Sequence, residues 1–260
     1  MSYELTELLQ RCTHEDAEFI IANIDSYINF TDDKGLKEML GQWTTGIMPL
    51  LLAQKIEKEL RYLGSSDVAY AARKLRGLDP AGVSTHEILE DVSKVLKIRY
   101  KKNSSLEIEL EYLAKGIFEK TFLEKDSHQQ IVILQKMNFS KEKISMIESY
   151  IKNTKNSKIV LPVLIKLIGK KATSELVETL IFSVIKQFLG RKVAAQMTTY
   201  MTTRCPWIAC LGPAVIALLT GWTALDLCSP AMRKTIPILL HLSTVSLRNG
   251  VEDKNMITTA

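Results

Sequence analysis

Glycine and proline are scarce, at 12 and 7 of 260 residues, which argues against a turn-dense all-β architecture. The four cysteines, Cys12, Cys205, Cys210 and Cys228, are too few and too unevenly placed for a disulfide framework. No apolar run opens the chain, because residues 1–9 already carry Glu4 and Glu7. Export through a signal peptide is therefore not expected, and a reducing cytoplasmic setting is the default. No Gly-rich phosphate loop, HExxH, GxSxG or kinase signature is present, nor any fixed-period repeat. What remains is ordinary globular material, 46% hydrophobic and 24% charged, in a chain long enough for one or two domains with a real core.

Helical periodicity runs through most of that material. Thr13 with Asp16 three residues on forms a capping box before a stripe of Phe19, Ile20, Ile24, Tyr27 and Ile28. A long helical stretch follows over 36–63, with Gly41, Gly46 and Pro49 as possible breaks. Ser84 with Glu87 and Ser104 with Glu107 predict two further capped helices, and weaker patterns cover about 127–137 and 140–152. Beyond the polar stretch 153–157, the spacing predicts apolar helices over 159–168 and 173–189. The expected fold class is all-α, a multi-helix bundle with a C-terminal apolar helical hairpin. Its expected segments are an N-terminal module (1–35), a soluble helical body (36–157), a basic apolar domain (158–250) holding the hairpin 205–248, and a tail (251–260).

Charge divides the chain more sharply than the net value of +5 suggests. Residues 1–157 hold 22 Lys/Arg against 24 Asp/Glu, whereas residues 158–250 hold 11 against only Glu175, Glu178 and Asp226. Basic charge beside long apolar stretches points to an anionic membrane surface. Nucleic acid is disfavoured, since the region lacks clustered aromatics among its cations. Lys158, Lys166, Lys170, Lys171, Arg191 and Lys192 are the expected lipid-facing cations.

Between Arg204 and Asp226 lie 21 residues without a charge, enough in length to span a bilayer. Trp207 and Trp222 flank this run, and Ile208, Leu211, Val215, Leu218 and Leu219 supply its apolar surface for insertion. Pro206 and Pro213 interrupt its start. The following segment carries Arg233, Lys234 and His241 and contains Pro237, so it does not cross a membrane in any simple way. Three readings stay open for this region: a buried hairpin core, a hairpin embedded in one leaflet, and a single span. Asp226 precedes Arg233 and Lys234 by seven and eight residues, a spacing suited to a structural ion pair across the turn at Ser229-Pro230.

Residues that carry chemistry elsewhere form no constellation here. Cys205, Cys210, Cys228 and His241 match no zinc spacing. Cys12 and His14 sit two residues apart and face different ways. His86 and Glu87 open a helix whose acidic first half suits the helix dipole better than acid–base work. No catalytic residue, metal or cofactor is expected.

The order of segments resembles the YaaW family. The resemblance lies in Glu59-Leu-Arg-Tyr-Leu-Gly64, Arg73-Lys-Leu-Arg-Gly77, Glu87-Ile-Leu-Glu-Asp-Val-Ser-Lys-Val-Leu-Lys97 and Ile108-Glu-Leu-Glu111. In the tail it lies in Gly212-Pro213, Thr220-Gly-Trp-Thr-Ala-Leu-Asp226, Pro230-Ala-Met-Arg-Lys-Thr-Ile-Pro237 and Leu247-Arg248. The chain departs from the family pattern at Ser65-Ser66 and at His86. The resemblance implies a bacterial helical protein with a small N-terminal module, and no reaction.

The expected function is a non-enzymatic protein at the inner face of an anionic membrane, held by its basic, apolar C-terminal region. The alternative is a soluble protein-interaction or chaperone-like module, with a protein partner or a second copy of itself, whose hairpin is a buried core or partner-binding element.

Overall fold

The computed structural model describes residues 4–24, 33–65, 82–137, 139–153, 157–189 and 230–249. Among them the chain is an all-α multi-helix bundle without strands. The N-terminal half contributes α1 (Glu4–Gln10), α2 (His14–Ile24), α3 (Asp33–Gln42), α4 (Leu50–Leu63), α5 (Thr85–Val95) and α6 (Leu106–Phe118). A π turn, Glu119–Leu123, extends α6. The remainder is α7 (Ser127–Lys136), α8 (Lys141–Asn153), α9 (Ser157–Ile168), α10 (Lys170–Phe188) and α11 (Pro230–Asn249).

The local signals act as their chemistry requires at two helix starts. Thr13 caps α2 in reciprocal fashion: its N–H donates to Asp16 at 2.8 Å, and the Asp16 N–H donates to the Thr13 hydroxyl at 3.3 Å. Ser84 and Glu87 form the same box on α5. At α6 the expected box of Ser104 and Glu107 does not form. Ser105 is the N-cap and offers no side-chain bond, while Glu107 pairs with Arg11. The free Leu106 N–H donates instead to Glu4 of α1 at 2.8 Å, so a tertiary carboxylate replaces the local cap. The stretch 36–63 divides between α3 and α4, at a loop where Gly46 has φ +87 and Pro49 starts the second helix.

The C-terminal helix α11 is the hub. It packs most extensively on α10 and α6, and also touches α1, α2, α4 and α5. Residues 235–246 are buried without interruption, which marks a core helix rather than an amphipathic one. Its hydroxyls are satisfied from within: Ser243 donates to the Leu240 carbonyl and Thr244 to that of His241, each at 2.7 Å. The second arm of the expected hairpin is therefore the interior of the bundle. Helix α10 is buried in the same way over 176–185, with Thr179 and Ser183 bonded back to their own helix. One apolar core runs from Leu5 to Val245 and draws on all three helical segments of the sequence. Among the described residues, no helix is long and apolar enough to cross a membrane.

The return of the chain onto the end of α4 depends on a glycine. A Cβ on Gly82 would lie 2.7 Å from the backbone carbonyl of Arg61. Bonds from Arg61 Nε to the Val83 carbonyl (2.9 Å) and from the Val83 N–H to the Ser65 hydroxyl (3.0 Å) hold this approach. Backbone cannot yield as a side-chain tip can, so Gly82→Ala should destabilise by about 1–3 kcal/mol. Gly41→Ala, in a helix and with nothing within 4 Å, should be neutral or stabilising by up to about 1 kcal/mol. Urea unfolding of the two variants checks the contrast.

Candidate functional site

Asp16 performs two tasks at once. As the third residue of α2 it completes the Thr13 box; its carboxylate also faces α11. Oδ1 lies 3.0 Å from His241 Nε2, and Oδ2 lies 2.5 Å from Arg248 Nη2. Asp16 and His241 are fully buried. The imidazole sits between the rings of Phe19 on α2, at 4.6 Å, and Phe182 on α10, at 5.9 Å. Burial pushes the Asp16 carboxyl upward. The His241 bond and charge, the Arg248 guanidinium and the Thr13 N–H outweigh that and hold it well below the usual carboxylate range. At the other end of the pair, Lys234 of α11 donates to the Ile24 carbonyl at 2.9 Å. Helices α2 and α11 thus run antiparallel and are pinned at both ends, with cations at the C-terminal turn of α2 and in the last turn of α11.

Cys12 lies beside this network, and its thiol donates weakly to the Leu8 carbonyl at 3.9 Å. Burial, reinforced by the negative charge of Asp16, pushes the thiol well up. It stays protonated at neutral pH and is inert as a nucleophile. His14 points elsewhere, with its ring 5.4 Å from Trp43 and Nδ1 3.6 Å from Glu18. An open cleft of about 730 Å³ runs between the α1–α2 turn and the α3–α4 loop, lined by Arg11, Cys12, His14, Trp43 and Ile47 among others.

A second polar cluster joins α1, α5 and α6. His86 Nδ1 lies 2.7 Å from the buried Glu109 carboxylate, and Nε2 lies 3.8 Å from Glu4. Tyr100 donates to the His86 carbonyl at 3.2 Å. Its phenol is pushed up by burial and by the neighbouring Glu109 and Glu90. A carboxylate-anchored imidazole resembles half of a catalytic triad, but the adjacent Ser84 hydroxyl is committed to its capping box, 2.9 Å from Glu87. Among the described residues, no group of three His, Cys, Asp or Glu could hold a metal ion. Sequence reasoning missed Glu109 and Glu4 because both partners of His86 come from other helices. The arrangement joins three elements.

Of the cations expected to face lipid, Lys166 in the last turn of α9 and Lys170 and Lys171 at the start of α10 are exposed. They gather at the α9–α10 corner, where Gly169 has φ +89. The side chain of Lys158 lies outside the described residues. So do Arg191, Lys192, Trp207, Ile208, Leu211, Val215, Leu218, Leu219, Trp222 and Asp226. Of the expected structural pair, Arg233 is exposed and Lys234 caps α2 as described above.

The Asp16 geometry has a pH consequence. A carboxyl whose folded value is depressed contributes stability that is fully present above its unfolded value, near 3.8, and is lost as pH falls below it. Asp16→Asn leaves His241 and Arg248 without their anion and should cost about 3–5 kcal/mol at pH 7. The variant should also lose part of the acid sensitivity that urea midpoints reveal in the parent below about pH 4.

No family model and no solved structure matches the chain. A UPF0174 protein of Helicobacter pylori (strain J99) is 31% identical over 213 residues, covering 79% of this chain and 76% of that protein. Its name carries no catalytic activity. That identity and coverage show that the chain belongs to the UPF0174 family.

Proposed function

We propose that the protein is a non-enzymatic helical bundle that associates with anionic membranes at their cytoplasmic face. The observation that carries this reading is the uncharged 21-residue run 205–225, which joins two of the most buried helices of the bundle, α10 and α11. A run of that composition has little to gain from water and much from an apolar phase, at roughly 25 cal/mol per Å². The exposed corner of Lys166, Lys170 and Lys171 supports the reading electrostatically. Lys170 and Lys171 occupy the first turn of α10, which has no acidic residue and a glycine N-cap without a side-chain bond. The helix dipole disfavours cations there, and an anionic headgroup layer would offset that cost. Lys158, Arg191 and Lys192 would add to the attraction, and Trp207, Leu218, Leu219 and Trp222 to retention. The finer resemblance to the YaaW family, through the blocks at 59–64, 73–77 and 230–237, is part of the same proposal.

The burial of α11 favours a second reading, a soluble protein-interaction or chaperone-like module. Under it the tryptophans of 205–225 are shielded and lipid has no effect.

Flotation with anionic and neutral vesicles separates the two. Membrane association predicts flotation on anionic vesicles that falls steeply with salt. Lys170→Glu with Lys171→Glu should weaken it more than tenfold, from about 1 kcal/mol per lysine near an anionic surface. Leu218→Asp with Leu219→Asp should abolish retention in a still-folded protein. A protein that ignores both vesicle types supports the second reading.

A further inference from the structure

Glu4, the first residue of α1, uses a single carboxylate oxygen for two contacts. Its Oε2 accepts the Leu106 N–H at the start of α6 at 2.8 Å, and the same oxygen faces His86 Nε2 at 3.8 Å, within ion-pair reach. The other ring nitrogen, Nδ1, lies 2.7 Å from Oε2 of Glu109, a residue only 2% exposed. These two carboxylates are the side-chain partners of His86 among the described residues.

The contact with Glu109 decides where the hydrogens of the ring can be. When the His86–Glu109 pair carries one proton, the buried carboxylate only accepts, so Nδ1 holds the hydrogen and Nε2 presents a bare lone pair to Glu4. When the pair carries a second proton, the ring is either an imidazolium or a neutral ring accepting from a protonated Glu109. In both cases Nε2 carries a hydrogen that faces Glu4. One proton therefore reverses the sign of the Glu4–His86 contact, whichever group of the pair holds it. Imidazole is the side chain whose ordinary titration falls between about pH 5 and 8.

The other charged groups around the ring are committed elsewhere. On α5, Glu87 serves the Ser84 box, and Glu90 pairs with Lys94 at 3.0 Å and Lys102 at 3.6 Å. On α6, Glu107 pairs with Arg11 of α1. The Tyr100 phenol is pushed up, chiefly by burial, and stays protonated. Helices α4 and α11 also pack on α5, and their Arg61 and Arg248 are held by Glu57 and Asp16.

We propose that His86 is a proton-operated latch that clamps the first turn of α1 onto the start of α6 and slackens when the proton is lost. Its contribution is present at acidic pH and lost as pH rises through the imidazole range. The Thr6–Glu57 bond and the buried Leu5, Leu8 and Leu9 keep the rest of α1 seated, so the change is local. The inference stands apart from the membrane reading.

The test is a double-mutant cycle on the full chain, with Glu4→Gln and His86→Gln singly and together, read by urea unfolding at pH 5.5 and pH 8.5. Glutamine at 86 still offers Glu109 an N–H, and glutamine at 4 still offers Leu106 an oxygen. The expected coupling is a factor of about three in the unfolding constant at pH 5.5, the scale of a half-exposed ion pair, falling at least twofold by pH 8.5. A coupling that is absent at pH 5.5, or that falls by less than twofold, overturns the inference. Should His86→Gln not fold, the Leu106 amide resonance of the parent and of Glu4→Gln decides. It is expected to move with pH across the imidazole range in the parent and to stay fixed in Glu4→Gln. A resonance that is fixed in the parent, or that moves equally in both proteins, overturns the latch.

Discussion

The fold depends on one buried carboxylate. Asp16 accepts from Thr13 within its own helix and meets His241 and Arg248 from the far end of the chain. A carboxylate in an apolar interior is costly unless its charge and lone pairs are met. Here those requirements are met only when α2 and α11 lie antiparallel in a single register. A one-turn slip of α11 would move His241 and Arg248 by about 5.4 Å and leave the anion unmatched. The Phe19 ring of α2 and the Phe182 ring of one further helix then confine the imidazole, so the same contact locates α10.

With α11 fixed, the rest of the bundle follows from apolar burial. Residues 235–246 face other helices all round, and the helices beside them present ordinary stripes of Leu, Ile and Val. Four hydroxyls inside this layer do not demand outside partners, because Ser243, Thr244, Thr179 and Ser183 return them to their own backbone. The chain can therefore keep a serine- and threonine-rich helix at its centre. The lysine corner of Lys166, Lys170 and Lys171 lies apart from this buried network, exposed at the turn between α9 and α10.

Local chemistry was legible in the sequence wherever a signal acts over three or four residues. The Thr13–Asp16 and Ser84–Glu87 boxes form as their spacing dictates, and Gly46 and Pro49 break the 36–63 stretch between them. Ser104–Glu107 has equally good spacing, yet Arg11 and Glu4 from α1 claim its groups. Tertiary competition of that kind has no sequence signature. Asp16 was readable as a cap and not as the partner of residues more than 220 positions away. Likewise, the basic and polar content of 230–248 distinguished it from a simple span, but only packing reveals that its Ser, Thr and His residues are interior. The exposure of Ile47, Leu50 and Leu51 was equally illegible, since an aliphatic triplet reads as core until the neighbours are known.

The central claim is that α11 is an interior helix keyed by Asp16 and would remain so in the proposed association with lipid. Hydrogen–deuterium exchange of the full chain, free and with anionic vesicles, tests it directly. The account predicts that amides 236–246 exchange only through global unfolding in both conditions, while vesicles add protection to peptides covering 205–225. Rapid exchange of 236–246 in the free protein, or its deprotection on vesicles, would contradict it.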